Sequence, residues 1–484
     1  MRLLKDILYK LDLNQLKGNV NCTISHICFD SRQVRKGALF VAIKGSITNG
    51  HTFISQAIDR GALAIVFDEQ PKYMQEGVVY VHVRDTSSAL GLIASNFYYN
   101  PSKKLKLIGV TGTNGKTTVA SLLYKLFMAL GHKSGLISTV EYKIGEKSME
   151  ASHTTPDALR IQSLLANMWE EGCTYCFMEV SSHAIDQGRI NELDFDLALF
   201  TNISRDHLDY HKTYDEYILT KKKFFDGLSS HAIAIVNNDD IHGETMLHHS
   251  VASKKTFGLR TSADYTCKIM ENQFSGLHLS IQGQDIFTRL IGTFNAANLL
   301  LTYAAAVELE KDSIQVLTVL SSLNAVEGRF EQTKSSQGLT AIVDYAHTPD
   351  ALKNVLKTIV DIKSKESKLI CLVGCGGDRD EGKRSLIGQV ACDWADQIIF
   401  TSDNPRSESA ESIIQQMKQE LSTVQLKKVL SIIDRAEAIK LGIVLCGKGD
   451  ILLVAGKGHE KYQEIQGERL PFDDMAILKE HLND

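Results

Sequence analysis

Nowhere in the 484 residues does an apolar run approach the roughly 18 needed to cross a bilayer as a helix, which argues against a transmembrane segment. An excess of one charge is also missing. The 53 Lys and Arg against 58 Asp and Glu leave a net −5, which argues against a general nucleic-acid binder, although local basic patches stay possible. The opening MRLLKDILYKLDL is interrupted by Lys5, Asp6, Lys10 and Asp12. It is therefore read as a short amphipathic helix and not as a secretory leader. The nine cysteines are scattered and odd in number, so reduced thiols and a cytoplasmic setting are expected. Cys173 and Cys176 have the C-x-x-C spacing, but no second pair accompanies them and they lie in CTYCFMEV. That β-branched and aromatic run reads as a buried strand in which both are small core residues.

What is there is an ordinary globular mixture, 43% apolar and 23% charged, in a chain long enough for two to four domains. Up to residue 103, ALFVAIKG, ALAIVF and VVYVHV read as strands between helical stretches, closing at the turn signal Asn100-Pro101. From Lys104 a new rhythm starts. LKLIGV is a strand, TGTNGKTT a glycine-rich turn, and VASLLYKLFMAL a helix with Val119, Leu122, Leu123 and Phe127 on one face. TYCFMEV, FDLALF and AIAIVN follow as buried strands of a parallel sheet, and residues near 264–292 alternate as small antiparallel strands. After Phe330 strands and helices alternate again through TAIVD, KLICLV, QIIFT, KVLSI and ILLVAG, the pattern of a doubly wound α/β domain. The chain is accordingly an α/β protein divided near 103 and near 331.

Gly112 to Thr118 follow a strand and open a helix. Glycines let backbone N–H groups close around phosphate oxygens, and a helix N-terminus adds positive potential. Lys116 suits the β and γ phosphates of ATP, and the Thr117 hydroxyl suits Mg²⁺. The strict phosphate-loop pattern wants glycine at 110, where this chain has Val110.

A second clue lies in HLDYHKTYDEYILTKKKFFDGL. Thr213 followed by Glu216 is a capping box and starts a helix. The apolar residues Tyr214, Tyr217, Ile218, Phe224, Phe225 and Leu228 have a mean direction that falls on Lys221, with Lys222 and Lys223 turning progressively outward. Lys221 thus occupies the middle of the face to be buried, where an ammonium is costly. Either it is salt-bridged or snorkelling, or it has reacted with CO₂ to give a carbamate that ligates metal. Glu179 and His207 are suitable co-ligands, since hard oxygen donors suit Mg²⁺ and a histidine can complete the shell.

Three segments together, TGTNGKTT, MEVSSHAIDQGRI and FTNISRDHLDYH, resemble the Mur ligase family, ATP-dependent amide-bond-forming enzymes of bacterial cell-wall synthesis. The match runs on through GTFNAAN, EGRFE, DYAHTPDAL, GCGGDRDEGKR, DNPR and AGKGHE, essentially the whole chain. The resemblance implies a small α/β UDP-MurNAc-binding domain at 1–103, a phosphate-loop ATPase domain with a parallel sheet at 104–331, and a Rossmann-like amino-acid domain at 332–484. It implies that Gly112, Thr113, Asn114, Gly115, Lys116, Thr117 and Thr118 bind ATP, with Asn295 and Asn298 on the adenine side and Arg329 and Asp344 near the hinge. Thr117 and Glu179 would hold one Mg²⁺, and Glu179, His207 and Lys221 as N6-carboxylysine a second. Lys116, Glu179, His207 and Lys221 would be the catalytic set. Ser31, Ser46, Ile47 and Thr48 match the uridine-diphosphate site, while Thr154, Thr155, Ser181, Gln187 and Arg189 match contacts to the muramoyl-dipeptide. The chain departs from the expected pattern at His153, where Asn is expected, and at Gly188, where a larger residue is common.

The resemblance also bears on which amino acid is added. Asp403-Asn404-Pro405-Arg406 marks the members that use meso-2,6-diaminopimelate, and lysine-adding members lack the arginine. The physical reason is that diaminopimelate carries one carboxylate more than lysine, which a planar guanidinium can pair bidentately. Arg379, Gly456 and Glu460 match the remaining amino-acid contacts, Glu460 being suited to an ammonium. Taken alone, Asn404-Pro405 is a plain turn and Arg406 a solvated charge. The expected reaction is ATP-dependent addition of diaminopimelate to UDP-N-acetylmuramoyl-L-alanyl-D-glutamate by a monomer. The competing expectations are a lysine-adding member, a folylpolyglutamate synthetase-like ligase, and a nucleotide-driven switch without ligase activity.

Overall fold

The apolar runs separated by helices assemble into three large sheets, beside two two-stranded ones, in the computed structural model, which describes residues 1–45 and 48–482. Five strands near the N-terminus lie in the order Leu13–Lys17, Val79–Val83, Ala62–Phe67, Ala38–Val41, His26–Cys28, parallel except for the first. The expected N-terminal helix is cut short. Only Leu4–Ile7 is helical, burying Leu4 and Ile7, and the polar stretch beyond it pairs as the edge strand Leu13–Lys17.

The largest sheet has eleven strands and is built around Lys106–Thr111, which runs parallel between Tyr175–Glu179 and Leu197–Phe200. At one end Tyr265–Gln273, Gly276–Ile281 and Gln284–Thr288 form the antiparallel meander that the alternating pattern predicts. Because both faces are covered, successive residues of the central strand enter different cores. Leu107 packs with Phe195, Phe224 and Ile137, whereas Ile108 and Val110 pack with Val119, Leu123 and Leu299. The helix Lys116–Ala129 is buried nearly all round, Ala120, Ser121, Tyr124 and Leu126 included, and not along one face as expected. The helix Thr293–Glu308 packs alongside it on the same face of the sheet.

A third sheet, in the order Glu331–Lys334, Thr340–Asp344, Ile451–Ala455, Leu369–Val373, Gln397–Phe400, Val429–Ser431, is parallel after its first strand. Its C-terminal helix Asp474–His481 is fastened by Asp474, whose two carboxylate oxygens accept from Arg435 Nε at 2.8 Å and Nη2 at 2.7 Å, both side chains fully buried. All nine cysteines are free thiols, and Cys173 and Cys176 lie in the core. Among the described residues no helix is long and apolar enough to cross a membrane.

Candidate active site

The glycine-rich turn joins the C-terminal end of Lys106–Thr111 to the helix Lys116–Ala129. Val110 is inside that strand, paired with Glu179 on one side and Leu199 on the other, so the turn begins only at Gly112 and has no need of glycine at 110. Gly112 has φ +145°, and a Cβ there would lie 2.0 Å from Thr201 Oγ1. No side chain fits. The turn is held from the neighbouring strand end: Thr113 N donates to Asn202 O at 2.8 Å and Thr201 Oγ1 donates to Asn114 O at 2.6 Å. Lys116 Nζ donates to Gly112 O and Thr113 O, each at 2.9 Å, and burial pushes its pKa down while Glu179 and Asp206 oppose the shift.

Glu179, at the end of its strand, is fully buried. Oε2 accepts from Thr117 Oγ1 at 3.0 Å and Oε1 from the Thr139 N–H at 2.7 Å. A buried carboxylate between two neutral donors, beside a phosphate loop, is in the state that a cation would complete.

The helix Tyr214–Asp226 is capped by Thr213 and lays Phe224 and Phe225 into the core. Lys221, 1% exposed, is carried inward with them. Its Nζ donates to Gly112 O at 3.0 Å and stands 4.6 Å from the centre of the Tyr217 ring. Burial, with Lys116 nearby, pushes its pKa well below the usual lysine value, so the amine is held toward its neutral form. Lys222 does not turn outward as expected. It is buried as well and pairs with Asp226, while Lys223 is exposed.

His207 sits in a left-handed turn, φ +54°, in the loop that leads out of Leu197–Phe200. Its Nε2 is 3.5 Å from Asp206 Oδ2, and its ring stands edge-on to His183 at 4.8 Å. Burial pushes its pKa down to about 3 against the pull of Asp206, which leaves a neutral imidazole suited to ligation.

Lys116, Thr117, Glu179, His207 and Lys221 line one cavity of about 590 Å³ together with Thr154, Ser181, Asn295, Asn298, Arg329 and Asp344. Among the described residues no group of three or more His, Cys, Asp and Glu side chains is gathered to hold a metal. The expected ligands include only two of that kind, and the donors present, a carboxylate, a hydroxyl, an imidazole and an amine open to carboxylation, fit Mg²⁺. Asn295 and Asn298 are joined by a 3.2 Å hydrogen bond on the helix Thr293–Glu308. Arg329 reaches from the hinge to Thr117 Oγ1 at 3.0 Å and stacks over Tyr345 at 4.5 Å. Asp344 accepts from the Phe330 N–H at 2.7 Å, and burial pushes its pKa up.

Beside the cavity, Thr155 Oγ1 donates to Glu179 O at 2.8 Å and accepts from Ser181 N at 3.0 Å. Arg189 Nη1 donates to Thr155 O at 2.7 Å and its Nε to Gln187 Oε1 at 3.0 Å. The two departures fit locally. Gly188 takes φ +65° in the turn after the helix Ser182–Asp186, and the exposed His153 is held by its backbone, which donates to and accepts from the Tyr142 hydroxyl.

Two groups of expected residues lie outside the cavity. Ser31, in the short helical turn Ser31–Gln33 after the strand His26–Cys28, donates its hydroxyl to Gln56 Oε1 at 2.8 Å, and Thr48 is exposed, while Ser46 and Ile47 lie outside the described residues. On the third sheet the segment Asp403–Arg406 follows the strand Gln397–Phe400. Asn404 Nδ2 donates to Glu460 Oε2 at 2.7 Å, and burial raises the Glu460 pKa with Asp403 adding to the effect. Arg406 is not a freely solvated charge. Its Nη1 donates to Gly377 O at 2.6 Å, its Nε is 3.6 Å from Glu464 Oε2, and its backbone is left-handed at φ +51°. Gly456, at φ +113°, lies against Asp403, and Pro405 is buried. Arg379 is exposed on the loop after Gly377.

Sequence reasoning missed three contributors. Thr139 donates its N–H to Glu179 and its hydroxyl to Thr154 Oγ1 at 3.0 Å. Lys457, fully buried, donates to Asn404 Oδ1 at 2.9 Å and pairs with Glu460 at 3.3 Å. Arg384, 1% exposed, pairs with both carboxylate oxygens of Glu408, at 2.8 Å each, behind the Gly376–Asp378 loop. Lys457 had a signal, a charge two residues after the apolar strand ILLVA at the edge where α/β sheets bind ligands.

Comparison with known proteins agrees with this geometry. Three family models match in chain order: the Mur ligase family catalytic domain at 23–98, the Mur ligase middle domain at 110–306, and the Mur ligase glutamate ligase domain at 328–458. A UDP-N-acetylmuramoyl-L-alanyl-D-glutamate–2,6-diaminopimelate ligase of Cytophaga hutchinsonii is 51% identical over 99% of both chains. One of the same name from Parabacteroides distasonis is 50% identical over 99% of this chain and 98% of its own. A solved structure bearing that name superposes with a TM-score of 0.69 at 32% identity, covering 99% of this chain and 98% of that one. With its phosphate loop, buried lysine and three sheets in this order, the chain belongs to the Mur ligase family.

Proposed function

We propose that this chain joins meso-2,6-diaminopimelate to the D-glutamyl carboxylate of UDP-N-acetylmuramoyl-L-alanyl-D-glutamate at the expense of ATP, a step of peptidoglycan biosynthesis in the cytoplasm. The observation that carries the reading is the convergence of a phosphate loop, the buried carboxylate of Glu179 and the buried amine of Lys221 on one cavity. A nucleotide switch needs the loop alone. A ligase needs more, because it must neutralise both the triphosphate and the carboxylate that attacks it.

The loop N–H groups and Lys116 take the β and γ phosphates, with the adenine end toward Asn295 and Asn298 and with Arg329 and Asp344 at the hinge. Thr117, Glu179, His207 and Lys221 would hold Mg²⁺, which when bound supplies positive charge to the transferring phosphoryl group. For Lys221 to serve, its neutral amine adds to CO₂, forming a C–N bond and releasing one proton, so that N6-carboxylysine puts an anion where the neutral amine stood. The low pKa imposed by burial favours that step. The dipeptide, positioned by Thr154, Thr155, Ser181, Gln187 and Arg189, attacks the γ-phosphorus through its carboxylate. An O–P bond forms, the bond to the bridging oxygen breaks, and ADP leaves. The neutral amine of diaminopimelate then attacks the acyl carbon of the acyl phosphate, a C–N bond forms, the bond to the phosphate oxygen breaks, and phosphate leaves with the proton that the nitrogen gives up.

Residues 1–103 are assigned to the uridine-diphosphate end through Ser31, Ser46, Ile47 and Thr48, 104–331 to ATP, and 332–484 to the amino acid. There Arg379, Asp403, Asn404, Pro405, Arg406, Gly456 and Glu460 are assigned to diaminopimelate. Supplied with ATP, Mg²⁺, the UDP-muramoyl-dipeptide and diaminopimelate, the purified protein is expected to yield one UDP-tripeptide per ADP, read by the mass of the nucleotide product. ADP release that needs no amino acid would contradict the assignment and favour the switch.

A further inference from the structure

Lys457 is the second residue after the strand Ile451–Ala455, and its side chain is fully buried. The ATP chemistry makes no use of it, and a lysine is costly to bury. Its Nζ donates to Asn404 Oδ1 at 2.9 Å and to Glu460 Oε2 at 3.3 Å. It also stands 3.7 Å from Asp403 Oδ1 and 5.5 Å from the centre of the Tyr462 ring. One ammonium is therefore shared by an amide and two carboxylates, all three on residues assigned above to the amino acid.

These contacts fix how the three groups face a ligand. Asn404 Oδ1 also accepts the Glu464 N–H at 3.0 Å, so with two donors on that oxygen the amide turns its Nδ2 to Glu460 Oε2, 2.7 Å away. A flipped amide would set its NH₂ group against the lysine. Both hydrogen bonds to Glu460 fall on Oε2, and the side chain is 18% exposed, which leaves Oε1 to a ligand. Burial and the Asp403 carboxylate push the Glu460 pKa up, while Lys457 and the Asn404 amide pull against them. Removing Lys457 takes away the ammonium between the two acids, so Glu460 would keep its proton to higher pH. Of the other groups that face Glu460, Arg435 is paired with Asp474, and burial pushes Tyr345 and Tyr462 up, which keeps both phenols neutral.

Diaminopimelate reacts through one amine, and its far carbon carries a carboxylate and an ammonium together. Arg406 is assigned to that carboxylate, and Asn404, two residues before it, is bonded to Glu460. We propose that Lys457 is a positioning residue, which holds the Glu460 carboxylate and the Asn404 amide in place for the ammonium on the far carbon. This rests on the ligase reading above and deepens its amino-acid site. Lys457 touches no substrate and acts only through Glu460 and Asn404.

The test measures the KM for diaminopimelate and for ATP at about pH 7 and about pH 9, in the full-length protein and in Lys457→Met and Lys457→Gln. Met removes the hydrogen bonds and the charge, whereas Gln keeps a donor for Asn404 and removes the charge. In both variants at the lower pH the KM for diaminopimelate is expected to rise about tenfold, with the KM for ATP unchanged and kcat within about twofold. At the higher pH Glu460 ionises in the variants, so the rise over the unaltered protein is expected to shrink to about threefold or less. An unchanged KM for diaminopimelate in either variant overturns the proposal. So does a rise that is equal at the two pH values or is matched by the KM for ATP, since loss of a merely structural lysine is not relieved by alkali. Failure of both variants to fold, read as the lack of a cooperative urea transition, would make Lys457 a core residue and overturn it too. Absence of tripeptide with the unaltered protein would instead refute the ligase reading.

Discussion

At the scale of single residues, the decisive feature is a lysine that the helix period places where a leucine would normally pack. Lys221 was legible because six apolar neighbours on one helix fix the direction of the buried face. Lys222 was not, since what covers it is the short helix Gly243–Leu247 and the turn after it, where His249 Nδ1 comes within 3.4 Å of its Nζ, and such long-range packing leaves no trace in local spacing. The same holds for Thr139, whose partner Glu179 lies 40 residues away. If Lys221 acts as a carbamate, Lys221→Ala is expected to lose about 100-fold or more in turnover. A small carboxylic acid added to the assay is expected to restore part of that loss by replacing the missing carboxylate. Full activity of the Ala variant without the acid would refute the carbamate.

At the scale of elements, the strands read from the sequence and those of the structure agree closely, because a parallel strand buried on both faces announces itself as an unbroken apolar run. The helix Lys116–Ala129 was harder. An all-round burial arises only when the helix Thr293–Glu308 packs alongside it, and those residues are more than 160 positions away. The edge strand Leu13–Lys17 is polar and mostly exposed, so nothing but its pairing with Val79–Val83 makes it a strand. How the helix Tyr214–Asp226 reaches the phosphate loop depends on Gly109. A Cβ there would meet Phe224 Cζ at 2.6 Å and Phe195 Cε1 at 2.8 Å. Gly109→Ala is therefore expected to push this helix off the sheet and to destabilise the protein by about 1–3 kcal/mol, read as a lowered midpoint of urea unfolding. An unchanged midpoint would show that Phe224 does not set the approach of the helix.

At the scale of the whole molecule, the seam between the second and third sheets is closed by side chains. Arg329 bridges the hinge to Thr117, Gly328 packs on the His459 backbone, and Lys461 pairs with Glu327 at 2.7 Å. The sequence shows the apolar strands but not their order: that Ile451–Ala455 inserts between Thr340–Asp344 and Leu369–Val373 is set by crossover packing and not by any local pattern. That insertion delivers Lys457, His459 and Glu460 to Asn404. On the function proposed above, this third part recognises the second carboxylate of diaminopimelate through Arg406. The most direct measurement is the ratio of kcat/KM for meso-diaminopimelate to that for L-lysine, in the unaltered protein and in Arg406→Ala. We predict a ratio of at least about 100 that falls toward one in the variant, because lysine leaves the guanidinium without its anion. A preference for lysine, or a preference for diaminopimelate that survives the loss of Arg406, would contradict the account.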